Sequence, residues 1–177
     1  MLIIEGPDLV GKTTLAGKFL EALPRHMYRH FGLLPPHFDY FHDYDIHSGH
    51  YFVQDRFHMS ELVYGTVCRG QTPITPNLYR FIDAMLTLKG MITVVICFED
   101  PAMLKERYKE RKEMYDVGQC LAVNSAYFDI ENTFDRYDIQ YDFFIKLNED
   151  MPYVTDRQAQ IILDAYLERQ EEMFNIC

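Results

Sequence analysis

The chain has no Cys-x-x-Cys pair; its four cysteines, Cys68, Cys97, Cys120 and Cys177, lie well apart in 177 residues. That spacing argues against a zinc site and against a disulfide framework, and Cys97, inside an apolar run, reads as a buried free thiol. No apolar span approaches the length of about 20 residues that a membrane-crossing helix needs. Positive charge is also scarce, with 17 Lys and Arg against 27 Asp and Glu and a formal net charge of −10. A chain this acidic does not wrap DNA or an anionic membrane unassisted, although a local basic patch can sit inside an acidic total. Repeats, low-complexity tracts and linkers are missing too. The first apolar run leads straight into a glycine loop with no recognisable leader, so a reduced cytoplasm is the expected compartment.

What is present reads as an ordinary globular domain. Hydrophobic residues make up 48% and charged residues 25%, enough for one sizeable core spanning 1–177. The stretch that organises the rest is Gly6-Pro7-Asp8-Leu9-Val10-Gly11-Lys12-Thr13-Thr14. It follows the apolar run Leu2-Ile3-Ile4-Glu5 and enters a segment with helical spacing, Leu15 to Glu21. Strand, glycine loop and helix form the context in which G-x-x-x-x-G-K-[ST] is a phosphate-binding loop. Backbone N–H groups between Gly6 and Gly11 turn inward to make an anion-binding concavity, and the helix adds the positive end of its dipole. Lys12 then reaches the outer phosphates of a nucleoside triphosphate, and the Thr13 hydroxyl can ligate Mg²⁺.

Further along, the pattern alternates between the two regular periods. The first helix ends near Pro24, and a short strand is expected at Met27–Phe31. Residues 25–49 hold His26, His30, His37, His42 and His47, with His50 just beyond and aromatics between them. Their spacing matches no metal-ligand motif, and a loop closing over an aromatic base suits this stretch better. Tyr51-Phe52-Val53-Gln54 reads as a core strand delivering Asp55-Arg56 at its end. The next helix carries a core stripe of Met59, Leu62, Val63, Thr66 and Val67, while Arg56, Ser60 and Tyr64 recur every fourth residue on another line. Thr75 caps a helix with Pro76 at its first position, expected to turn Leu78, Phe81, Ile82 and Met85 inward and to stop before Gly90. Met91 to Phe98 is nearly continuously apolar, as in a parallel strand covered on both faces. A helix from Pro101 enters a charge-rich lid segment, about 105–120, with Arg107 and Arg111 four apart. A helix over 118–136, a last strand at Phe143–Leu147 and a terminal helix capped by Thr155-x-x-Gln158 complete the pattern. It predicts an α/β chain, a three-layer P-loop NTPase fold with a parallel sheet flanked by helices.

The N-K-x-D guanine reader of GTPases does not occur, no D-x-x-G switch follows the glycine loop (Asp8 to Gly11 matches that spacing only within the loop itself), and no apolar strand ends in the Asp-Glu of motor ATPases. Asp55-Arg56 at a strand end and the arginines of the lid segment suit a kinase of small acceptors, whose transition state spreads charge that cations must meet from several sides.

Here the sequence resembles the thymidylate kinases. They carry an acidic residue inside the P-loop, as Asp8 is here. Asp55-Arg56-Phe57-His58-Met59-Ser60-Glu61-Leu62-Val63-Tyr64 is similar to their D-R-[YFH]-x-x-S-x-x-A-[YF] motif, with Val63 at the usual alanine. Arg107-x-x-x-Arg111 falls where that family has its arginine-bearing lid, with Tyr127 following, and the short chain suggests a phage-type member. The resemblance implies transfer of the γ-phosphoryl of ATP, with Mg²⁺, to a deoxynucleoside monophosphate such as dTMP. Gly6, Asp8, Val10, Gly11, Lys12, Thr13 and Thr14 would hold ATP, and Thr13 and Asp55 the metal and its water. Asp8, Arg56, Ser60 and Tyr64 would bind the acceptor, and Lys12, Asp55, Arg56, Arg107 and Arg111 would carry the catalysis. Two departures stand out: Gly65 replaces the Gln or Thr that helps read the pyrimidine, and Lys112 to Asp116 lack the glycine that follows the lid arginine. A hydroxyl acceptor, either a deoxynucleoside or a hydroxymethylpyrimidine free or in DNA, stays open with Asp55 as base. So do a nucleotide-binding regulator and a homodimer.

Overall fold

Five short strands make one sheet: β1 (Leu2–Glu5), β2 (Met27–His30), β3 (Phe52–Asp55), β4 (Ile92–Phe98) and β5 (Phe143–Leu147). Their order is β2-β3-β1-β4-β5 and every pairing is parallel. Parallel neighbours need long crossovers, and the described helices flank the sheet on both faces. These are α1 (Lys12–Ala22), α2 (His58–Arg69), α3 (Pro76–Leu88), α4 (Pro101–Glu110), α5 (Val117–Phe128), the single turn α6 (Ile130–Thr133) and α7 (Asp156–Ile176). The computed structural model describes residues 1–32, 34, 38–39, 42–43, 51–111 and 115–176, with 174 and 176 by backbone alone.

Strand alternation divides the core in two. Leu2, Ile4, Val94, Ile96 and Phe98 pack on one face against Leu15 and Phe19 of α1, Leu104 of α4, and Ile162 and Tyr166 of α7. Ile3, Val95 and Cys97 pack on the other against Met59, Leu62 and Val63 of α2, Tyr79 and Ile82 of α3, and Val123 and Tyr127 of α5. All seven residues of β4 are buried, as its unbroken apolar run requires. The expected α/β three-layer architecture is therefore observed.

Local details depart from the expected pattern. Strand β3 begins at Phe52 and includes Asp55. On helix α3, Ile82 is buried and Leu78 and Met85 pack against the core at partial burial, as expected, but Tyr79, Asp83 and Leu86 are buried more deeply and Phe81 is 48% exposed. Buried His58 lies beside this face, its Nε2 3.5 Å from the Asp83 carboxylate and its ring 4.7 Å from the Tyr79 ring. The helix expected over 118–136 is broken into α5, α6 and a 3₁₀ turn at Asp135–Tyr137. Asn132 bonds the Asp129 carboxylate at 2.6 Å, a local side-chain bond that competes with helix continuation. The breaks let Tyr127, Ile130 and Phe134 all reach the same core. The caps match their residues: Thr75 accepts from Leu78, and Thr155 and Gln158 exchange reciprocal bonds.

Sheet register is what positions the site. Ile4 pairs with Asp55, and Asp55 with His30, so three strand ends finish level with the start of the glycine loop. This is the carboxyl edge of the sheet, where α/β folds hold ligands.

Candidate phosphate-binding site

The loop after β1 needs glycine at two points. Gly6 has φ 144°, and a β-carbon there would stand 2.2 Å from the Ile96 carbonyl oxygen of β4. Gly11 has φ 87° and precedes α1, and Leu9 between them is also left-handed at φ 70°. The loop thereby stays close to the sheet with its amides concentrated at a helix start. Val10 is buried in the core beneath the loop, and Thr14 is exposed on the cavity side. Lys12 opens α1 and donates to the Pro7 carbonyl at 2.6 Å. Burial lowers its pKa to about 8; Arg56 pushes the same way, and Asp55, Asp8 and Glu5 oppose.

Asp55 is buried beside this loop. Its Oδ2 accepts from the Thr13 hydroxyl at 2.8 Å and from Tyr28 at 2.9 Å, with His30 Nδ1 at 3.6 Å. Burial works against its charge, but the His30 ring, the Lys12 ammonium, Thr13 and Tyr28 together hold it well below the usual carboxylate range. Its Oδ1 is buried and has no hydrogen-bond partner among the described residues. A carboxylate with one unsatisfied oxygen beside a threonine hydroxyl is an all-oxygen donor set that fits a hard divalent cation such as Mg²⁺.

Arg56 comes before α2 begins, at φ 70°, and its N–H donates to the Ile4 carbonyl at 2.9 Å. Its guanidinium donates to the Asp8 carboxylate and to Tyr64 Oη at 3.0 Å, and stacks 4.4 Å from the Tyr64 ring. Tyr64 also donates to Asp8 at 3.3 Å. The contact between Arg56 and Tyr64 thus comes from a left-handed turn rather than from helical periodicity. Ser60 points elsewhere: its hydroxyl is bonded to Glu5 and lies 2.8 Å from Tyr127 Oη.

Glu5 ties these pieces together. The buried carboxylate also accepts from the Phe57 N–H at 2.8 Å and Tyr127 Oη at 3.1 Å. Burial raises its pKa, outweighing the Ser60, His58, Phe57 and Tyr127 contributions that lower it. One side chain therefore joins the strand before the loop, the residue after Arg56, and α5.

Arg107 and Arg111 are not equivalent. Arg107 donates to the Leu9 carbonyl at 2.7 Å and to the Pro152 carbonyl, with the Phe98 and Tyr153 rings 4.9 and 4.5 Å from its guanidinium. Arg111 follows the last turn of α4 and is exposed.

Asp8, Gly11, Lys12, Thr13, Thr14, Asp55, Arg56, Arg107 and Arg111 all line one cavity of about 480 Å³. Gly6 and Val10 support it from below. A smaller adjoining cavity shares Gly32, Arg56 and Tyr115 with it and is lined by Ser60, Glu61, Tyr64 and Arg69. Sequence motifs missed His30, Tyr115 and Tyr153 on these walls, and Tyr28, which donates to Asp55; only the pairing of β2 with β3 shows that His30 is level with Asp55. His26 instead packs edge-on against Tyr51 and Tyr166. Among the described residues no group of three His, Cys, Asp or Glu is placed to hold a metal ion. His37, His47 and His50, much of the 25–49 stretch expected to close over a base (33, 35–37, 40–41 and 44–49), and lid residues Lys112, Glu113 and Met114 lie outside the described residues. No described helix is long and apolar enough to cross a membrane.

No protein-family model matches the chain, and no curated protein matches it by sequence. Among solved structures it is similar to the YorR protein of Bacillus subtilis, solved in complex with phosphorylated GDP. The two share 20% identity and a TM-score of 0.67 over 96% of this chain and 97% of that one. It is also similar to polyphosphate kinase 2 of Arthrobacter aurescens TC1, at 16% identity and a TM-score of 0.56, over 94% of this chain and 65% of that one. At these identities the likeness is one of fold: a five-stranded parallel sheet flanked by helices, with the glycine loop at its carboxyl edge.

Proposed function

We propose that the chain is an ATP- and Mg²⁺-dependent phosphotransferase whose acceptor is a deoxynucleoside monophosphate. One observation carries this reading. The Thr13–Asp55 pair and the Asp8–Arg56 pair stand side by side in one cavity, a cation-holding oxygen set next to a guanidinium. The names of both structural neighbours speak of phosphorylated compounds, which agrees with it.

ATP would supply the phosphoryl group, and Mg²⁺ would neutralise charge on its oxygens. Lys12 and the loop amides hold the outer phosphates of the donor, while Thr13 and Asp55 hold the cation. Arg56, steadied by Asp8 and Tyr64, presents a planar fork that grips the acceptor's phosphate with two parallel hydrogen bonds. Arg111, at the cavity rim, meets charge that develops during transfer. A phosphate acceptor is already nucleophilic and asks for no base. Asp55 suits this, because a carboxylate held far below the usual range and engaged by Thr13 and Tyr28 is a poor proton acceptor near neutral pH. The same point disfavours the hydroxyl-acceptor alternative.

Steady-state kinetics against deoxynucleoside monophosphates and their nucleosides tests the proposal. Turnover of monophosphates is expected, with Arg56→Lys raising the acceptor KM at least about tenfold and sparing the ATP KM. Turnover of nucleosides alone, with Asp55→Asn costing on the order of 10²–10⁴ in kcat, would establish the alternative.

A further inference from the structure

Asp55 is held by hydroxyls from two other elements. Thr13, in the first turn of α1, and Tyr28, on β2, both donate to its Oδ2, at 2.8 and 2.9 Å. Strand register brings Tyr28 there. His30 pairs with Asp55, so Tyr28, two residues earlier, stands on the same face of β2 as His30. Tyr28 is not among the described residues that line the cavity of about 480 Å³. Its contact with the site's chemistry therefore runs through Asp55.

The two bonds divide the carboxylate between its oxygens. A carboxylate oxygen has two lone-pair sites, and two hydroxyl donors fill those of Oδ2. His30 Nδ1 approaches the same oxygen, at a longer 3.6 Å. Oδ1 is buried with no hydrogen-bond partner among the described residues. Thr13 commits its one hydroxyl proton to Oδ2, which leaves the lone pairs of its own oxygen for a cation.

We infer that Tyr28 is a positioning residue for the cation site, an inference that rests on the reading of Thr13 and Asp55 as the residues that hold the cation. The Lys12 ammonium also attracts this carboxylate. Held by Thr13 alone, Asp55 turns toward Lys12, and the pair that forms takes one residue from the cation and the other from the phosphates. Tyr28 is the second fixed point that keeps Oδ2 on Thr13 and Oδ1 open. Groups that orient a metal ligand without touching the metal typically change metal affinity by about 10–100-fold.

The test is equilibrium binding of the non-hydrolysable β,γ-imido analogue of ATP to the full chain, in excess Mg²⁺ and again in EDTA. The parent protein is expected to bind more tightly with Mg²⁺. Tyr28→Phe removes one hydroxyl and keeps the ring; it should cut that gain by about tenfold or more, while affinity in EDTA stays within about twofold of the parent. Asp55→Asn sets the scale of complete loss, and adding Tyr28→Phe to it should reduce the gain no further, because the two changes lie on one route. In turnover assays the Mg²⁺ concentration for half-maximal rate should rise in the same proportion. Tyr28→Leu, which also lacks the hydroxyl, serves where Tyr28→Phe does not fold. An unchanged gain in a folded variant overturns the proposal. So does an equal loss of affinity with and without Mg²⁺, which is the mark of a merely structural role. A parent protein that gains nothing from Mg²⁺ overturns the cation-site reading itself, and the role of Tyr28 with it.

Discussion

Lys12 carries the clearest pH signature among the site residues. Its ammonium is charged in the free protein below its lowered pKa of about 8 and neutral above it. Because kcat/KM reports the free enzyme, kcat/KM for ATP should fall about tenfold per pH unit above that point. Bound phosphates favour the charged form, so kcat should hold to higher pH. A flat kcat/KM between pH 7 and 9.5 would show that Lys12 is not poised this way. The two lid arginines make a contrasting pair. Arg111→Ala removes an exposed cation from the cavity rim, so kcat should drop by on the order of 10²-fold with an unchanged Tm. Arg107→Ala deletes two bonds to backbone carbonyls and a guanidinium lying against two rings. Each bond to a charged donor is worth about 1.5–3 kcal/mol, less for a partly exposed group. A loss of about 2 kcal/mol lowers Tm by roughly 4–8 °C in a chain of this size. Matching thermal unfolding of the two variants would remove the distinction.

At the scale of elements, the site depends on β1, β3 and β4 lying close at their carboxyl ends. Gly6 is where that closeness is tightest. Gly6→Ala must accommodate a β-carbon against the backbone of β4 at a positive φ, and both effects push β1 and β4 apart. A destabilisation of about 3 kcal/mol or more is expected from clash and strain together. At Gly17, inside α1, a β-carbon would meet no neighbouring atom within 4 Å. Gly17→Ala should instead stabilise by about 0.5–1 kcal/mol through helix propensity and lost unfolded-state freedom. Urea unfolding of both variants checks the pair, and similar effects in the two would mean that the approach of the loop to β4 is not constrained. Glu5 extends the same logic across the sheet, since its single carboxylate holds the Asp55–Arg56 turn and α5 to the strand that feeds the loop.

For the molecule as a whole, the layered α/β plan and the glycine loop follow from short-range pattern. Strand and helix periods, the Thr75 and Thr155 caps, the apolar run of β4 and the G-x-x-x-x-G-K-T spacing are set by neighbours a few positions apart, where steric and hydrogen-bonding rules act locally. Asp55 and Arg56 could be placed beside the loop because a strand end in a parallel sheet has few other places to go. Tertiary structure decided the rest. Tyr28 reaches Asp55 across 27 positions and Tyr127 reaches Glu5 across 122, contacts that need strand register and helix packing before they exist. On α3, Tyr79 is buried and Phe81 exposed because the rings that meet Tyr79, His58 and Tyr137, are brought in from other elements. Arg107 carried the same charge in the sequence as Arg111, and only the positions of Leu9, Pro152 and Tyr153 turned it into a wall of the cavity. Gly65 is the sharpest instance. In sequence it is a missing base reader; in the fold it is the gap through which Arg69 reaches Glu61, because what a glycine permits depends on which side chain occupies the space it leaves.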